Sequence, residues 1–387
     1  MPGFELIGEE ERTEVSRVFD SGGVLFRHGF DNLRNGHFAV REFEVSFAEK
    51  FGVPRALAVT SGTAALRVAL AAIGVGTGDS VLIPSFTFVA TAEAIIEAGA
   101  IPIAVEIDES LTMDPACLKS ACRADTKAVI VVHMLGVPAD LRRISAFCDA
   151  EGLSLIEDTA WGCGATLDGQ FLGTWGRMGA FSFDYAKTLT TGEGGLVTFN
   201  DEEDYARAAA WHDHGHENNP AVPRWEDTRS GSGFNFRMME LQGAVGNAQL
   251  RKLDFILESQ RARHEALRRV LEPIPGVQWR VEPEGSDPSC DAAVFFAPTP
   301  VKALACRDAL LDVGFGTKIL PEAITWHFAG TWTHMPDLVD AHGGQLSMAF
   351  PVSKALLDRA VALPVSITGG GFPPEKIAAT ISSALAE

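Results

Sequence analysis

Between Arg55 and Asn200 the chain alternates short apolar runs with amphipathic stretches. The apolar segments ALAVT (Ala56–Thr60), SVLIP (Ser80–Pro84), Ile101–Ile107, LSLIE (Leu153–Glu157), Met178–Phe183 and Gly195–Phe199 have the length of strands. Ala128–Leu135 (AVIVVHML) is apolar throughout, which predicts a central strand buried on both faces. Thr63–Ile73, Ala90–Ala98 and Asp140–Ala150 carry helical patterns between them. Strands and helices in this alternation predict an α/β fold with a mostly parallel sheet. Residues 1–50 are polar and mixed, and read as a short helix followed by an irregular, aromatic-rich stretch at Phe26–Phe38. Beyond Asn200 a long helical stretch, Met238–Val270, breaks near Asp254. Past Pro273 the pattern becomes a smaller α+β unit: VQWRV and AVFFAP as strands, then helices at Lys302–Val313 and Pro374–Ala386. The expected division is 1–50 (N-terminal segment), 51–255 (large α/β domain) and 256–387 (small C-terminal α+β domain).

Composition narrows the function. A chain of 387 residues with 46% hydrophobic and 21% charged residues is globular. Its net charge of −19 opposes nucleic acid and anionic membranes, so neither is expected as a partner. None of the six cysteines forms a C-x-x-C pair, and most sit in apolar surroundings, as reduced core residues do. The N-terminus lacks the basic and apolar regions of a signal peptide, and no apolar run spans a bilayer; a cytoplasmic location is expected.

Three segments carry chemistry. Thr60-Ser61-Gly62-Thr63 joins a strand to a helix, and the first-turn N–H groups of that helix make an anion site. It has neither the G-K-[ST] of a Walker loop nor G-x-G-x-x-G, and an ordinary capped turn is the plainer reading of this segment alone. Asp158 ends an apolar strand, where open α/β sheets bind ligands; a helix N-cap is the alternative. Lys187 closes a further strand end ahead of the glycine-rich TLTTGEGG. In the order phosphate turn, strand-end Asp and lysine, these fit a lysine that bonds a cofactor aldehyde and afterwards moves protons, beside a carboxylate that keeps a pyridine nitrogen protonated. Burial should lower the pKa of such a lysine.

The motifs TSGTAAL (Thr60–Leu66), PSFTFVATAEAI (Pro84–Ile95), IED (Ile156–Asp158), AKTLTTGEGG ending at Gly195, and GFNFRMMELQGAVGNAQLRKLD (Gly233–Asp254) resemble the DegT/DnrJ/EryC1/StrS sugar aminotransferases. These are fold-type-I enzymes dependent on pyridoxal 5′-phosphate (PLP), with a large seven-stranded-type sheet domain. The resemblance implies Lys187 as the Schiff-base lysine, Asp158 at the pyridine nitrogen and Phe88 stacked on the ring. Gly62, Thr63 and Ser182 would hold the phosphate. Asn235 would reach the phosphate of a neighbouring subunit in a homodimer with shared active sites. Phe181 and Phe183 alternate with Ser182 and read as core. Trp161 stands where the family usually has a Gln that donates to the cofactor's 3′-oxygen; an indole donates one hydrogen bond and accepts none.

The implied reaction moves an amino group from glutamate or glutamine to a keto- or aldehydo-sugar. The N-terminal MPGFELIGEEE, with LFRHGFDNLRNGHF, DHGH and the Trp326–Trp332 segment, resembles a branch that aminates the C8 aldehyde of oxidised Kdo. Nucleotide-linked keto-sugars are the alternative acceptors. An acidic sugar would need cations, for which Arg27, His28, Arg34, His37 and Arg41 are candidates against a solvated charged loop. His327 is a further substrate candidate, and so is His214. His212, His214 and His216 alternate, yet no Cys or acid is spaced to complete a metal site, and none is expected. A sugar dehydratase on the same fold would carry His in place of Lys187. A non-catalytic regulator would lack the lysine or add a DNA-binding domain.

Overall fold

The computed structural model describes residues 3–386 except Pro220 and Ser230. The large sheet has seven strands: β1 (Arg55–Val59), β2 (Ser80–Pro84), β3 (Ile101–Val105), β4 (Thr126–Val132), β5 (Ser154–Asp158), β6 (Met178–Ser182) and β7 (Gly195–Phe199). Their order is β1-β7-β6-β5-β4-β2-β3. β7 runs antiparallel to both neighbours, and the β6-β5-β4-β2-β3 pairs are parallel.

Both faces are covered, which explains the unbroken apolar runs. Side chains alternate across the sheet. Ile83, Ile130, Ile156 and Val197 face α3 (Gly62–Ala72), α4 (Ala90–Glu97) and α6 (Glu202–Trp211). Leu82, Val129, Val131 and Leu155 pack on the opposite side, with Leu141, Ile144 and Cys148 of α5 (Leu141–Glu151).

The first fifty residues differ from expectation. They form α1 (Glu9–Asp20) and a second helix, α2 (Ala39–Phe51), where irregular chain was expected. Phe43, Phe47 and Phe51 recur every fourth residue, a helical period inside a polar, mixed segment. They pack edge-on against Phe181 and Phe183, with centroids 5.0 Å (Phe47–Phe181) and 5.3 Å (Phe43–Phe183) apart. Phe181 and Phe183 are buried, as their alternation predicts. Gly52 closes α2 at φ 70°, a left-handed cap.

The long C-terminal helical stretch divides at Lys252 into α7 (Glu240–Arg251) and α8 (Leu253–Leu271). A second, antiparallel sheet joins β8 (Gln278–Trp279), β9 (Ala292–Phe296) and β10 (Ala360–Pro364). β10 was not anticipated, and VQWRV is a strand over two residues only. Leu267, Phe295, Leu310 and Ile381 form a core between this sheet and α8, α9 (Pro300–Asp312) and α10 (Pro374–Ala386). Ala292, Val294 and Ala362 face the other way and join Leu320, Phe328 and Trp332 in the core of the large sheet. This packing brings residues 319–327 to the carboxyl ends of the large-sheet strands.

Glu157 fixes the loop beside β5. It is fully buried and accepts from the backbone N–H groups of Gly173 (2.8 Å), Trp175 (2.7 Å) and Gly176 (2.7 Å), and pairs with His133 Nε2 (3.0 Å). An amide there turns an NH2 toward two donors. Glu157→Gln is therefore expected to destabilise the protein by about 1–3 kcal/mol per unsatisfied group, read as a lower Tm. An unchanged Tm would show that the hub is dispensable.

Among the described residues no helix is long and apolar enough to cross a membrane, and no group of His, Cys, Asp and Glu could hold a metal ion.

Candidate active site

The carboxyl ends of β1, β2, β5 and β6 converge on a cavity of about 380 Å³ lined by Gly62, Thr63, Phe88, Asp158, Trp161, Ser182, Lys187 and His327, among others. Larger clefts lie elsewhere, including one of about 570 Å³ around Arg67, Trp211 and Phe234, but neither Lys187 nor Asp158 lines it. The three sequence segments thus meet at one point, at the strand ends where open α/β sheets bind ligands.

Ser61 caps α3, its hydroxyl accepting from Ala64 N (3.1 Å). The N–H groups of Gly62 and Thr63 lie in the first turn, where a helix offers them no internal acceptor. A Cβ on residue 62 would lie 2.7 Å from Ser182 Cβ, so only glycine lets the turn approach β6 so closely. Backbone donors, a serine hydroxyl and a helix N-terminus together suit a dianionic phosphate.

Asp158 is buried at the end of β5. Its Oδ2 accepts from Thr91 Oγ1 (3.0 Å) and its Oδ1 from Ala160 N (3.2 Å). Burial raises its pKa against these hydrogen bonds and the nearby Lys187. A carboxylate desolvated in this way is completed by a cationic partner.

Lys187 follows β6 on a tight turn in which its N–H donates to Asp184 O (3.0 Å) and Ala186 N donates to Asp184 Oδ1 (2.9 Å). Gly3 N donates to Lys187 O (3.2 Å), tying the chain's first described residue to this turn. Burial lowers the Lys187 pKa to about 8, although Asp291, Asp158 and Asp184 all pull it upward. Its Nζ lies 3.5 Å from the centroid of the Trp161 ring. Trp161, at the position expected to hold Gln, therefore presents a π-face to the lysine.

Phe88 is partly exposed and lies nearly parallel to Trp326, 6.2 Å between centroids. His327 lies 5.4 Å from Phe88 and its Nδ1 pairs with Ala323 O (2.9 Å). Burial lowers its pKa, so the imidazole is neutral, with Nδ1–H donating to that carbonyl.

The remaining candidates do not join this cavity within one chain. Arg27 pairs with Glu44 (2.6 Å), and His28 with Asp213 (3.2 Å). Arg34 is buried beside Glu240 (3.7 Å) and donates to Phe26 O. His37 pairs with Glu42 (3.0 Å), and Arg41 stacks on Phe38 (4.1 Å). Internal acids and an aromatic ring engage the cluster expected to meet an acidic sugar. Arg27, His28 and Arg41 line a separate cleft.

The alternating histidines also part company. His212 is buried with Nδ1 on Ala209 O (2.6 Å), His214 is exposed, and His216 pairs with Asp227 (3.1 Å). Asn235 is exposed beside exposed Phe234, away from the cavity of its own chain. Sequence reasoning missed Thr91, Asp291 and Lys318. The last two are charged residues set in apolar stretches, DAAVFF and GTKIL, and that is the signal that could have found them.

The sequence matches the DegT/DnrJ/EryC1/StrS aminotransferase family over residues 7–378. It is 35% identical to a GDP-perosamine synthase of Vibrio cholerae over 266 residues, covering 68% of this chain and 69% of that one. It is 35% identical over 288 residues to an L-glutamine:2-deoxy-scyllo-inosose aminotransferase of Streptoalloteichus tenebrarius, covering 73% and 66%. Among solved structures, an aminotransferase TlmJ from Streptoalloteichus hindustanus superposes with a TM-score of 0.84 at 28% identity, covering 98% of this chain and 97% of the other.

Proposed function

Since the chain belongs to the DegT/DnrJ/EryC1/StrS aminotransferase family and is a sugar aminotransferase, we propose that Lys187 is its reactive amine, in a PLP site made by Gly62, Thr63, Ser182, Asp158, Phe88 and Trp161. The convergence of Lys187, Asp158 and the α3 N-terminus on one cavity carries this reading. PLP, when bound, supplies an aldehyde for amine exchange and a pyridinium ring that withdraws electrons.

The residues divide the work. Gly62 and Thr63 N–H and the Ser182 hydroxyl bind phosphate. Asp158, held by Thr91, would pair with a protonated ring nitrogen. Phe88 would lie against the ring. Lys187 Nζ takes the proton from the α-carbon of the donor amino acid, and later delivers one to the acceptor's carbon.

The donor is glutamate or glutamine, and the acceptor a keto- or aldehydo-sugar. The C8 aldehyde of oxidised Kdo and nucleotide-linked keto-sugars are the acceptors to set against each other. Apart from Lys187 no Lys or Arg lines the cavity among the described residues, so a carboxylate-bearing sugar would draw its cations from elsewhere. A homodimer with Asn235 reaching the partner's cavity accounts for an exposed Asn beside an exposed Phe234. Sedimentation is expected to show dimers; fully active monomers of 41.4 kDa would end that part of the reading.

The deciding experiment adds PLP and then L-glutamate to the protein and follows the visible absorbance. A visible band that forms with PLP and is bleached by glutamate supports the reading; a wild-type protein that stays colourless with PLP overturns it. The lysine must be neutral to attack the aldehyde. With its pKa at about 8, the rate of PLP capture is expected to rise about tenfold per pH unit below that value and level off above it. Stopped-flow absorbance between pH 6 and 9 checks this, and a flat profile would place the reactive amine elsewhere.

A further inference from the structure

Behind the cavity lies a buried ion pair that the proposed chemistry does not use. Lys318 follows α9 and Asp291 immediately precedes β9, and both side chains are almost fully buried. Lys318 Nζ contacts Asp291 Oδ2 and lies 3.3 Å from the Asp291 carbonyl. The second carboxylate oxygen, Oδ1, is buried with no hydrogen-bond partner among the described residues. Lys318 Nζ lies 4.8 Å from the centroid of the Trp161 ring, the same ring that Lys187 Nζ approaches at 3.5 Å. Neither member of the pair lines the cavity, whereas Trp161 does. Two lysine Nζ atoms therefore approach one indole, with a half-satisfied carboxylate beside Lys318.

We propose that Lys318 is a positioning residue that holds the Asp291 carboxylate away from Lys187, so that the reactive amine is not captured in a buried salt bridge.

Two lysines compete for one carboxylate. A buried carboxylate with an open oxygen takes the nearest ammonium, because desolvated charge is expensive unless paired. Asp291 pairs with Lys318, while Lys187 approaches the same indole ring and feels the Asp291 charge. Paired to Lys187 it would hold that lysine protonated, and a protonated lysine neither attacks an aldehyde nor accepts a proton. Lys318 occupies Oδ2 of the carboxylate as its ion-pair partner, the Asp291 charge offsetting part of the burial that lowers the Lys318 pKa. The other charges acting on Lys187 are Asp158 at the end of β5 and Asp184 on its own turn, with His327 nearby from the 319–327 segment. Of the acids, Asp291 exerts the strongest pull, so its pairing matters most.

The inference rests on Lys187 being the reactive amine, yet it is testable without PLP or turnover. Competitive acetylation of the cofactor-free protein across pH, with mass spectrometry on the Lys187 peptide, gives the titration midpoint of that amine. Lys318→Met is expected to raise the midpoint by about one pH unit or more, reducing the neutral amine at neutral pH about tenfold. Lys318→Arg should restore the wild-type midpoint. Asp291→Asn/Lys318→Met removes both charges and should bring it back to the wild-type value or below, and this double variant remains informative if the single one folds poorly.

A wild-type midpoint in folded Lys318→Met overturns the proposal. So does an equal rise in Lys318→Met and the double variant, since the carboxylate would then not be responsible. Failure of the wider reading looks different: the wild-type protein would form no visible band with PLP, whatever the midpoints.

Discussion

Lys187→Ala is expected to lower kcat by about 10²–10⁴-fold, the usual worth of a positioned acid–base group, and to remove the visible band with PLP. The geometry explains why no neighbour substitutes. Lys318 is engaged by Asp291 and does not line the cavity. His327, the remaining basic side chain of the lining, is turned through Nδ1 toward Ala323 O. Lys187→Arg keeps the cation but should be as inactive, because a guanidinium stays charged where a neutral amine is needed. Unchanged circular dichroism would show that the fold is intact. Small external amines that restore part of the rate would show that the missing element is an amine at this place. A Lys187→Ala enzyme with wild-type kcat would remove the lysine from the chemistry altogether.

How much of this was legible in the sequence depends on the distance over which each feature is determined. The strands of the large sheet were legible because burial on both faces leaves an unbroken apolar run, as in AVIVV of β4. Gly62, Asp158 and Lys187 were legible because motif order is local information, although only Asp158 lies within a strand end: Gly62 opens α3, and Lys187 sits on the turn after β6 and not at its end. Helix α2 was missed although its phenylalanines have helical spacing, since they are interspersed with charged residues in a segment that is polar and mixed as a whole. β10 was missed because Ala360–Pro364 gains its meaning only from pairing with Ala292–Phe296, far away in sequence.

The basic cluster shows the opposite failure. Arg27, His28, Arg34 and His37 look like a receptor for an anion when their sequence is read alone. Glu44, Asp213, Glu240 and Glu42, which engage them, come largely from other elements, and no local pattern announces such pairing. Lys318 and Asp291 were hidden for the same reason. The pair is formed by residues from two separate segments, and only the fold places it behind Trp161.

Asp158→Asn should separate cost from use in a way few substitutions do. In the cofactor-free protein the carboxylate is buried with two hydrogen bonds and, among the described residues, no directly paired cation, and burial raises its pKa. A carboxyl with a raised folded-state pKa binds protons more readily folded than unfolded. Stability therefore falls as pH rises from its unfolded value near 3.8 through the higher folded one. Above that window the full cost is present. Replacing the charge by an amide at neutral pH is thus expected to leave the Tm of the cofactor-free protein unchanged or to raise it.

With PLP bound the sign is expected to reverse, because the carboxylate would then face a protonated ring nitrogen. Removing one partner of a buried pair costs about 3–5 kcal/mol. The expected result is a loss in kcat of about 10²–10³-fold, with weaker PLP retention. Thr91→Val, which removes one hydrogen bond to the carboxylate, should lose about tenfold or less. Thermal melts with and without PLP, set beside kcat for both variants, check all three expectations. A holoenzyme of Asp158→Asn with unchanged kcat would remove Asp158 from the ring nitrogen. A large fall in the cofactor-free Tm would instead make it a structural cap of the β5 end.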